Sequence, residues 1–422
     1  LSQIIVSGEK RLEGTVDISG SKNAALPILA ATVMIDEPVV VKNVPELRDV
    51  HTMLSILQRI GKKVSFEHGA VFIEPGDILL GSVPYDLVGK MRASFNLFGP
   101  LVMACGWARV GKPGGCNIGQ RPVDYHVKGL KRFGLKIVEE HGDVYGELPP
   151  EFENTIEYEL PFRSVGATEQ LMTTAALMEG TEVVIRNAAK EPEIVDLQNF
   201  LNKAGATITG AGTNTIHIKG VKKLYGTEYD VIPDRIEAGT YLLAGVITRG
   251  SVEVKHVIPD HLEALLNILK EMGTEITVGN DTVRVTAFNK LKPVKVSAKP
   301  YPGFPTDLQP IITAVLATIE GESVVEESVF ENRFGYVDEM NRMGAQIKVK
   351  DRKAYIKGIA KLSGAEINAP DIRAAAALVI AGMAAEGETI VHNAGHIFRG
   401  YEKLREKFTS IGAYLRVYPD EE

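Results

Sequence analysis

Hydrophobic and polar positions along this chain of 422 residues follow one local pattern that recurs six times: an amphipathic helix ending on an apolar residue, then glycine, then a short β-branched run. The copies are Arg59-Ile60-Gly61-Lys62-Lys63-Val64, Arg132-Phe133-Gly134-Leu135-Lys136-Ile137, Lys203-Ala204-Gly205-Ala206-Thr207-Ile208, Glu271-Met272-Gly273-Thr274-Glu275-Ile276, Arg342-Met343-Gly344-Ala345-Gln346-Ile347 and Ser410-Ile411-Gly412-Ala413-Tyr414-Leu415. Glycine suits the residue just past a helix. The marker glycines recur about every 70 residues, and a fixed period indicates internal repetition.

Around each marker the order is shared: an Ala-rich helix, a strand, a polar loop, a second helix, the glycine, then strands. In the third copy the pattern predicts helix over 167–178, strand over 182–185, helix over 194–203 and strand over 215–218. The unit is βαβαββ-like and too small to be stable alone. Three units packed helix-inward make one domain, so six make a two-domain α/β protein. The sixth copy stops near Tyr414-Leu415-Arg416-Val417, and strands that could complete it lie at the start, in Gln3-Ile4-Ile5-Val6 and Gly14-Thr15-Val16-Asp17-Ile18. The expected domains are therefore 22–231, and 1–21 together with 232–422, with crossings near Gly20 and near Asp230 to Asp234.

The net charge of −7 argues against a general affinity for nucleic acid or anionic membranes and leaves anionic small molecules open. Cys105 and Cys116 are too few for a disulfide framework, and no Cys or His spacing fits a metal, which suits a reducing cytoplasm. No stretch approaches the roughly 20 apolar residues of a membrane span. The start Leu1-Ser2-Gln3-Ile4 lacks a signal pattern, and Leu1 in place of Met leaves the true start open.

Cations collect where the repeats begin their helices. The first helices open with Ser21-Lys22-Asn23, Met91-Arg92-Ala93-Ser94, Arg163-Ser164-Val165-Gly166, Asp234-Arg235-Ile236-Glu237, Pro305-Thr306-Asp307 and Asp371-Ile372-Arg373, and Arg121, Arg333 and Arg399 precede second helices. A helix N-terminus favours anions, so cations there are unfavourable unless an anion joins them. Taken singly, each fits a surface ion pair with Asp49, Asp124, Glu331 or Asp371. If the helix ends of two domains face one another, a cleft gathers Lys22, Arg92, Arg121, Arg333, Arg373 and Arg399. Asp307 is the carboxylate among them: either a plain N-cap or, in a field of cations, an ionised acceptor for a hydroxyl proton. The loop Lys112-Pro113-Gly114-Gly115-Cys116-Asn117-Ile118-Gly119-Gln120-Arg121-Pro122 carries one thiol beside a guanidinium, which suggests chemistry on an anionic substrate. An idle cysteine in a surface turn is the plainer alternative.

These residues resemble the UDP-N-acetylglucosamine 1-carboxyvinyltransferase family of enolpyruvyl transferases. The match runs over essentially the whole chain, through Ser21-Lys22-Asn23-Ala24-Ala25-Leu26-Pro27, Met91-Arg92-Ala93-Ser94, Pro113-Gly114-Gly115-Cys116, Arg121-Pro122-Val123-Asp124, Ser164-Val165-Gly166-Ala167-Thr168, Pro233-Asp234-Arg235-Ile236-Glu237, Phe304-Pro305-Thr306-Asp307, Phe330-Glu331-Asn332-Arg333-Phe334 and Arg399-Gly400-Tyr401-Glu402. The resemblance implies a two-domain inside-out α/β barrel, each domain three βαβαββ repeats with pseudo-threefold symmetry. It implies transfer of the enolpyruvyl group of phosphoenolpyruvate to the 3-hydroxyl of UDP-N-acetylglucosamine, without metal or organic cofactor and without an obligate protein partner.

Carried over by position, Lys22, Asn23, Arg121, Arg333, Arg373 and Arg399 bind phosphoenolpyruvate, and Lys22 and Arg399 also serve the chemistry. Asn23, Asp307 and Val329 hold the amino sugar; Arg92, Arg121, Pro122, Val123, Asp124, Tyr125, Phe162, Arg163, Ser164, Val165 and Gly166 hold the nucleotide. Cys116 is the implied proton donor and site of a covalent adduct, since a thiol near pKa 8.5 is mostly protonated at neutral pH and attacks as thiolate. Asp307 is the implied general base. Where many members have Lys, this chain has Arg48, which keeps the charge, and Phe162, which removes it and leaves backbone contacts or Arg163 to serve. Tyr125 either stacks on the uracil or packs at a loop end. Three other activities compete. A transferase acting on shikimate 3-phosphate would not need the Cys116 loop, a silent nucleotide-sugar sensor would need neither Cys116 nor Asp307, and a thiol hydrolase would need a histidine that spacing does not supply, although His126 is near.

Overall fold

All six marker glycines hold left-handed backbone, with φ of +116° at Gly61, +103° at Gly134, +103° at Gly205, +92° at Gly273, +90° at Gly344 and +98° at Gly412. A side chain would be strained at each, so the glycine recurs because each second helix must turn sharply into its next strand. The computed structural model describes residues 2–83, 85–113 and 123–418. It divides into a C-terminal unit, which includes the first residues up to Ser19 and resumes at Pro233, and an N-terminal unit from Gly20 to Ile232.

Two kinds of helix follow from two kinds of sequence. The first helix of a repeat is mainly apolar and mostly buried: in Arg235–Ile247, every residue from Ile236 to Ile247 is buried. The second is amphipathic, as in Arg48–Arg59, which buries Val50, Met53, Leu54, Ile56 and Leu57 on one stripe. In the C-terminal unit Arg235–Ile247, Gln309–Leu316 and Ile372–Ala384 pack on one another, and in the N-terminal unit Phe98–Cys105 packs on Val165–Ala175. Each unit has its own apolar core.

Among the described residues there are six separate sheets, five of four strands and one of three, all open. The third repeat shows the plan: Thr155–Glu159 runs parallel to Glu182–Arg186, which pairs antiparallel with Thr215–Lys219, and that strand with Thr207–Thr209. Burial alternates along Glu182–Arg186, so the strand covers the core with one face only. The sixth sheet takes Gln3–Ser7 between Glu388–His392 and Tyr414–Tyr418.

The second N-terminal strand departs from expectation. Glu13–Asp17 joins the fourth sheet, parallel to Ser251–Lys255, and leaves the sixth complete without it. Glu228–Asp230 likewise joins the first sheet, parallel to Val39–Lys42. At each junction the chain lays down an edge strand in the unit it is leaving and starts its next buried helix in the other. Local patterning predicts a strand at 14–18, but the choice of partner depends on which sheet lacks a parallel edge.

Candidate functional site

Asp307 lies in the 3-10 turn Thr306–Leu308, ahead of helix Gln309–Leu316. That helix has no side-chain cap, so the plain N-cap alternative does not hold. Instead, Asp307 Oδ1 accepts from Arg333 Nη2 at 3.0 Å and Oδ2 from Arg373 Nη2 at 3.1 Å. Arg333 and Arg373 are only 3% and 5% exposed. Guanidiniums so removed from water need a counter-charge, and one carboxylate serves two of them.

Each arginine is also held from behind. Arg333 lies over the Phe330 ring at 5.7 Å and Arg373 over the Tyr401 ring at 5.3 Å. Tyr401 is fixed in turn by a 2.9 Å hydroxyl contact with Thr240. Arg373 opens helix Ile372–Ala384, whose cap is Asp371, with Oδ1 accepting from Arg373 N and Ala374 N. Asp371 is thus a helix cap and not a surface counter-ion. Arg399 ends the 3-10 turn Ala394–Arg399 half-buried, and Gly400 follows it. A methyl group on Gly400 would stand 2.9 Å from Ile372 and 3.4 Å from the Arg373 guanidinium, so glycine leaves that guanidinium its place. Val329 sits just past strand Gly321–Glu327, its N–H donated to Glu327 Oε1 at 2.7 Å.

In the N-terminal unit, Lys22 opens the buried helix Lys22–Ala31, capped by Ser21 Oγ accepting from Ala24 N. Lys22 is 8% exposed and its Nζ lies 3.1 Å from Asp49 Oδ2, a buried ion pair and not a surface one. Asn23 beside it is exposed, as is Arg48. Arg92 opens the 3-10 turn Arg92–Leu97, half-buried. Buried Val123 precedes helix Asp124–Arg132, whose first residue Asp124 is exposed. The half-buried Tyr125 ring stacks on exposed Phe162, with centroids 6.4 Å apart and planes inclined by 24°. Arg163 donates from Nε to Asn187 Oδ1 at 3.2 Å. Ser164 caps helix Val165–Ala175 through Ala167 N, so Val165 and Gly166 lie in a first turn whose N–H groups suit a diphosphate. Cys116, Arg121 and Pro122 lie outside the described residues.

Behind that helix start is a buried polar group that the sequence did not bring forward. Glu169 accepts from Asn96 at 2.8 Å, and burial pushes its carboxyl up to about 8. His126 lies against Gln170 Oε1 at 3.2 Å and edge-on to Phe95 at 5.4 Å. Burial, then the charge of Arg92, hold it down to about 3, so the ring is neutral. His126 is therefore a satisfied core residue. The sequence signal for the group was the run Thr168-Glu169-Gln170 inside an otherwise apolar helix. Among the described residues no group of three His, Cys, Asp or Glu side chains could hold a metal ion, and no helix is long and apolar enough to cross a membrane.

A repeat-built α/β protein with paired arginines and a carboxylate at its buried helix starts is equipped for chemistry on anions. The chain belongs to the EPSP synthase (3-phosphoshikimate 1-carboxyvinyltransferase) family, whose model matches residues 6–408. It is 66% identical over 421 residues, 100% of each chain, to a UDP-N-acetylglucosamine 1-carboxyvinyltransferase of Kosmotoga olearia. It is 52% identical over 418 residues, 98% of each chain, to the protein of the same name from Thermotoga maritima. Among solved structures, the enolpyruvyl transferase NikO of Streptomyces tendae matches with a TM-score of 0.88 and 25% identity, covering 99% of this chain and 98% of that one. An EPSP synthase of Acinetobacter baumannii shares the fold at a TM-score of 0.78 and 19% identity, over 99% of this chain and 100% of its own.

Proposed function

We propose that the protein transfers the enolpyruvyl group of phosphoenolpyruvate to the 3-hydroxyl of UDP-N-acetylglucosamine, releasing phosphate, in the first committed step of peptidoglycan precursor synthesis. The observation that carries this is 66% identity along the whole of both chains with a relative of that name. Each unit is read as an inside-out α/β barrel of three βαβαββ repeats, supported by first helices such as Arg235–Ile247, buried from Ile236 to Ile247, and by strands such as Glu182–Arg186, buried on one face only. Residues 22–231 carry the nucleotide-side contacts and the Cys116 loop; 1–21 and 232–422 carry the Asp307 cluster. The cytoplasm is its place, because a thiol acting as an acid needs a reducing compartment.

In this mechanism Lys22, Asn23, Arg121 and Arg399 bind phosphoenolpyruvate, and Arg333 and Arg373 add positive charge. Asn23, Asp307 and Val329 hold the amino sugar. Arg92, residues 121–125 and residues 162–166 hold the nucleotide, with the diphosphate on the N–H groups of Val165 and Gly166, since that of Ser164 is donated to Phe162 O at 2.7 Å. The sugar hydroxyl oxygen bonds to the central carbon of phosphoenolpyruvate while Cys116 gives its thiol proton to the methylene carbon. Asp307 takes the hydroxyl proton. Its oxygens accept from Arg333 and Arg373, one each, which holds the carboxylate in place for that step. The tetrahedral intermediate then loses a methyl proton and expels phosphate, which restores the double bond. The surrounding cations offset the charge of carboxylate and phosphate throughout.

The test is phosphate release from phosphoenolpyruvate with UDP-N-acetylglucosamine, with shikimate 3-phosphate and with neither. Release with the sugar nucleotide alone is expected, and Cys116→Ala should abolish it near neutral pH while sugar-nucleotide binding persists. Release with shikimate 3-phosphate instead would reassign the acceptor, and no release with either would favour a sensor.

A further inference from the structure

Glu327 ends strand Gly321–Glu327 and is 1% exposed, and the mechanism above gives it no part. Its carboxylate joins two segments. Oε1 accepts from the backbone N–H of Val329 at 2.7 Å and of Phe330 at 3.1 Å, and Oε2 accepts from the Thr306 hydroxyl at 2.9 Å. Its backbone is held as firmly, donating its N–H to Arg352 O and accepting from Arg352 Nε, both at 2.9 Å. On one side Thr306 adjoins Asp307. On the other, Phe330 is the ring over which Arg333 reaches Asp307.

A buried carboxylate is costly unless its lone pairs are taken up. Burial raises the Glu327 pKa, while the two N–H groups, the Thr306 hydroxyl and Arg333 work to lower it. A fold that needed only a turn here could cap Val329 and Phe330 with a smaller acceptor. A side chain that also reaches Thr306 fixes the spacing between the turn and the Asp307 segment.

We propose that Glu327 is a positioning residue, which sets the Asp307 carboxylate and the Val329 backbone at one spacing so that both address the same sugar. This rests on the assignment of Asp307 and Val329 to the sugar. Thr306→Val cuts only the tie to Asp307. Glu327→Leu cuts both, and Glu327→Gln restores an acceptor for the two N–H groups and a donor for the Thr306 oxygen.

With the full chain, steady-state kinetics should show Thr306→Val lowering kcat by about 10- to 100-fold, the scale of a small misplacement of a reacting group. KM for UDP-N-acetylglucosamine and the melting temperature should stay near wild type. Glu327→Leu should lower kcat and raise that KM together, and Glu327→Gln should recover most of both. If Glu327→Leu does not fold, Thr306→Val still decides. Wild-type kcat in Thr306→Val, or losses that only follow melting temperature, would overturn the proposal. Asp307→Asn measured alongside separates the two layers. If it is fully active, the base assignment itself fails; if it is inactive while Thr306→Val is normal, only the positioning role fails.

Discussion

Buried charge at the helix starts is handled differently in the two units. In the C-terminal unit Asp307 meets two guanidiniums almost sealed from water, and ions persist there because they are paired. At the start of Val165–Ala175 in the N-terminal unit, burial pushes Glu169 up to about 8 and His126 down to about 3, so both are neutral at neutral pH. Pairing keeps a group able to take a proton, whereas neutralisation leaves a helix end whose own N–H groups dominate. A charge there of either sign would alter the pull on a diphosphate. Lys22, paired with Asp49, follows the first pattern inside the N-terminal unit, which suits the role proposed for it as a cation that meets phosphoenolpyruvate.

Asp307→Asn breaks this comparison most severely. It keeps the size of the side chain, removes the proposed base, and should cut phosphate release by about 100- to 10,000-fold, the usual range for a positioned acid or base. An unchanged rate would reduce Asp307 to a counter-ion. Lys22→Met should destabilise the protein by up to about 3–5 kcal/mol, because it removes the ammonium paired with the buried Asp49 carboxylate. The double variant Lys22→Met/Asp49→Leu should regain most of that stability in urea melts and remain inactive. A double variant as unstable as the single would mean that the loss comes from packing and not from charge.

Glu169→Gln sharpens the other half. An acid whose pKa is higher in the folded state holds its proton more tightly there. Its stabilising share is therefore full below the ordinary value of 4.5 and is lost as pH rises through about 8. Burial is the main cause, and Glu193 and Glu191 add to it, while Asn96 opposes it. The variant should lie near wild type in stability in mild acid and exceed it by up to a few kcal/mol in mild alkali. Parallel unfolding curves across that range would show that Glu169 titrates normally.

How far the sequence led depended on how local each feature is. The marker glycines were visible because each needs left-handed φ at one residue, and the helix predicted over 167–178 forms as Val165–Ala175. Partner choice was not local: Glu13–Asp17 reads as a strand wherever it pairs, and its place in the fourth sheet depends on an edge more than 200 residues away. The cations stood out because charge at the start of an apolar helix contradicts its surroundings. The grip of Arg333 and Arg373 on one carboxylate did not, since those residues lie 26 and 66 positions from Asp307. Glu327 was hidden for a further reason. It follows Glu326 in the sequence, and only the strand's alternation tells the half-buried neighbour from the one turned inward.

The smallest expected effect concerns Phe162, which stands where the resemblance leads one to expect Lys. Its ring lies nearly parallel to that of Tyr125 and remains exposed, so the pair offers aromatic surface where the nucleotide is proposed to bind. Aromatic contact is worth about 0.5–1.5 kcal/mol beyond area burial, and Phe162→Ala should weaken UDP-N-acetylglucosamine binding by about 3- to 10-fold. Screening by salt acts on charge and not on stacking. Calorimetric titrations at low and high salt should therefore show a nearly constant loss for Phe162→Ala, whereas Phe162→Lys should bind well at low salt and lose that gain as salt rises. Wild-type affinity in Phe162→Ala would make the two rings a packing contact at the loop end, and the nucleotide would then depend on the helix start at Ser164 and on Arg163 instead.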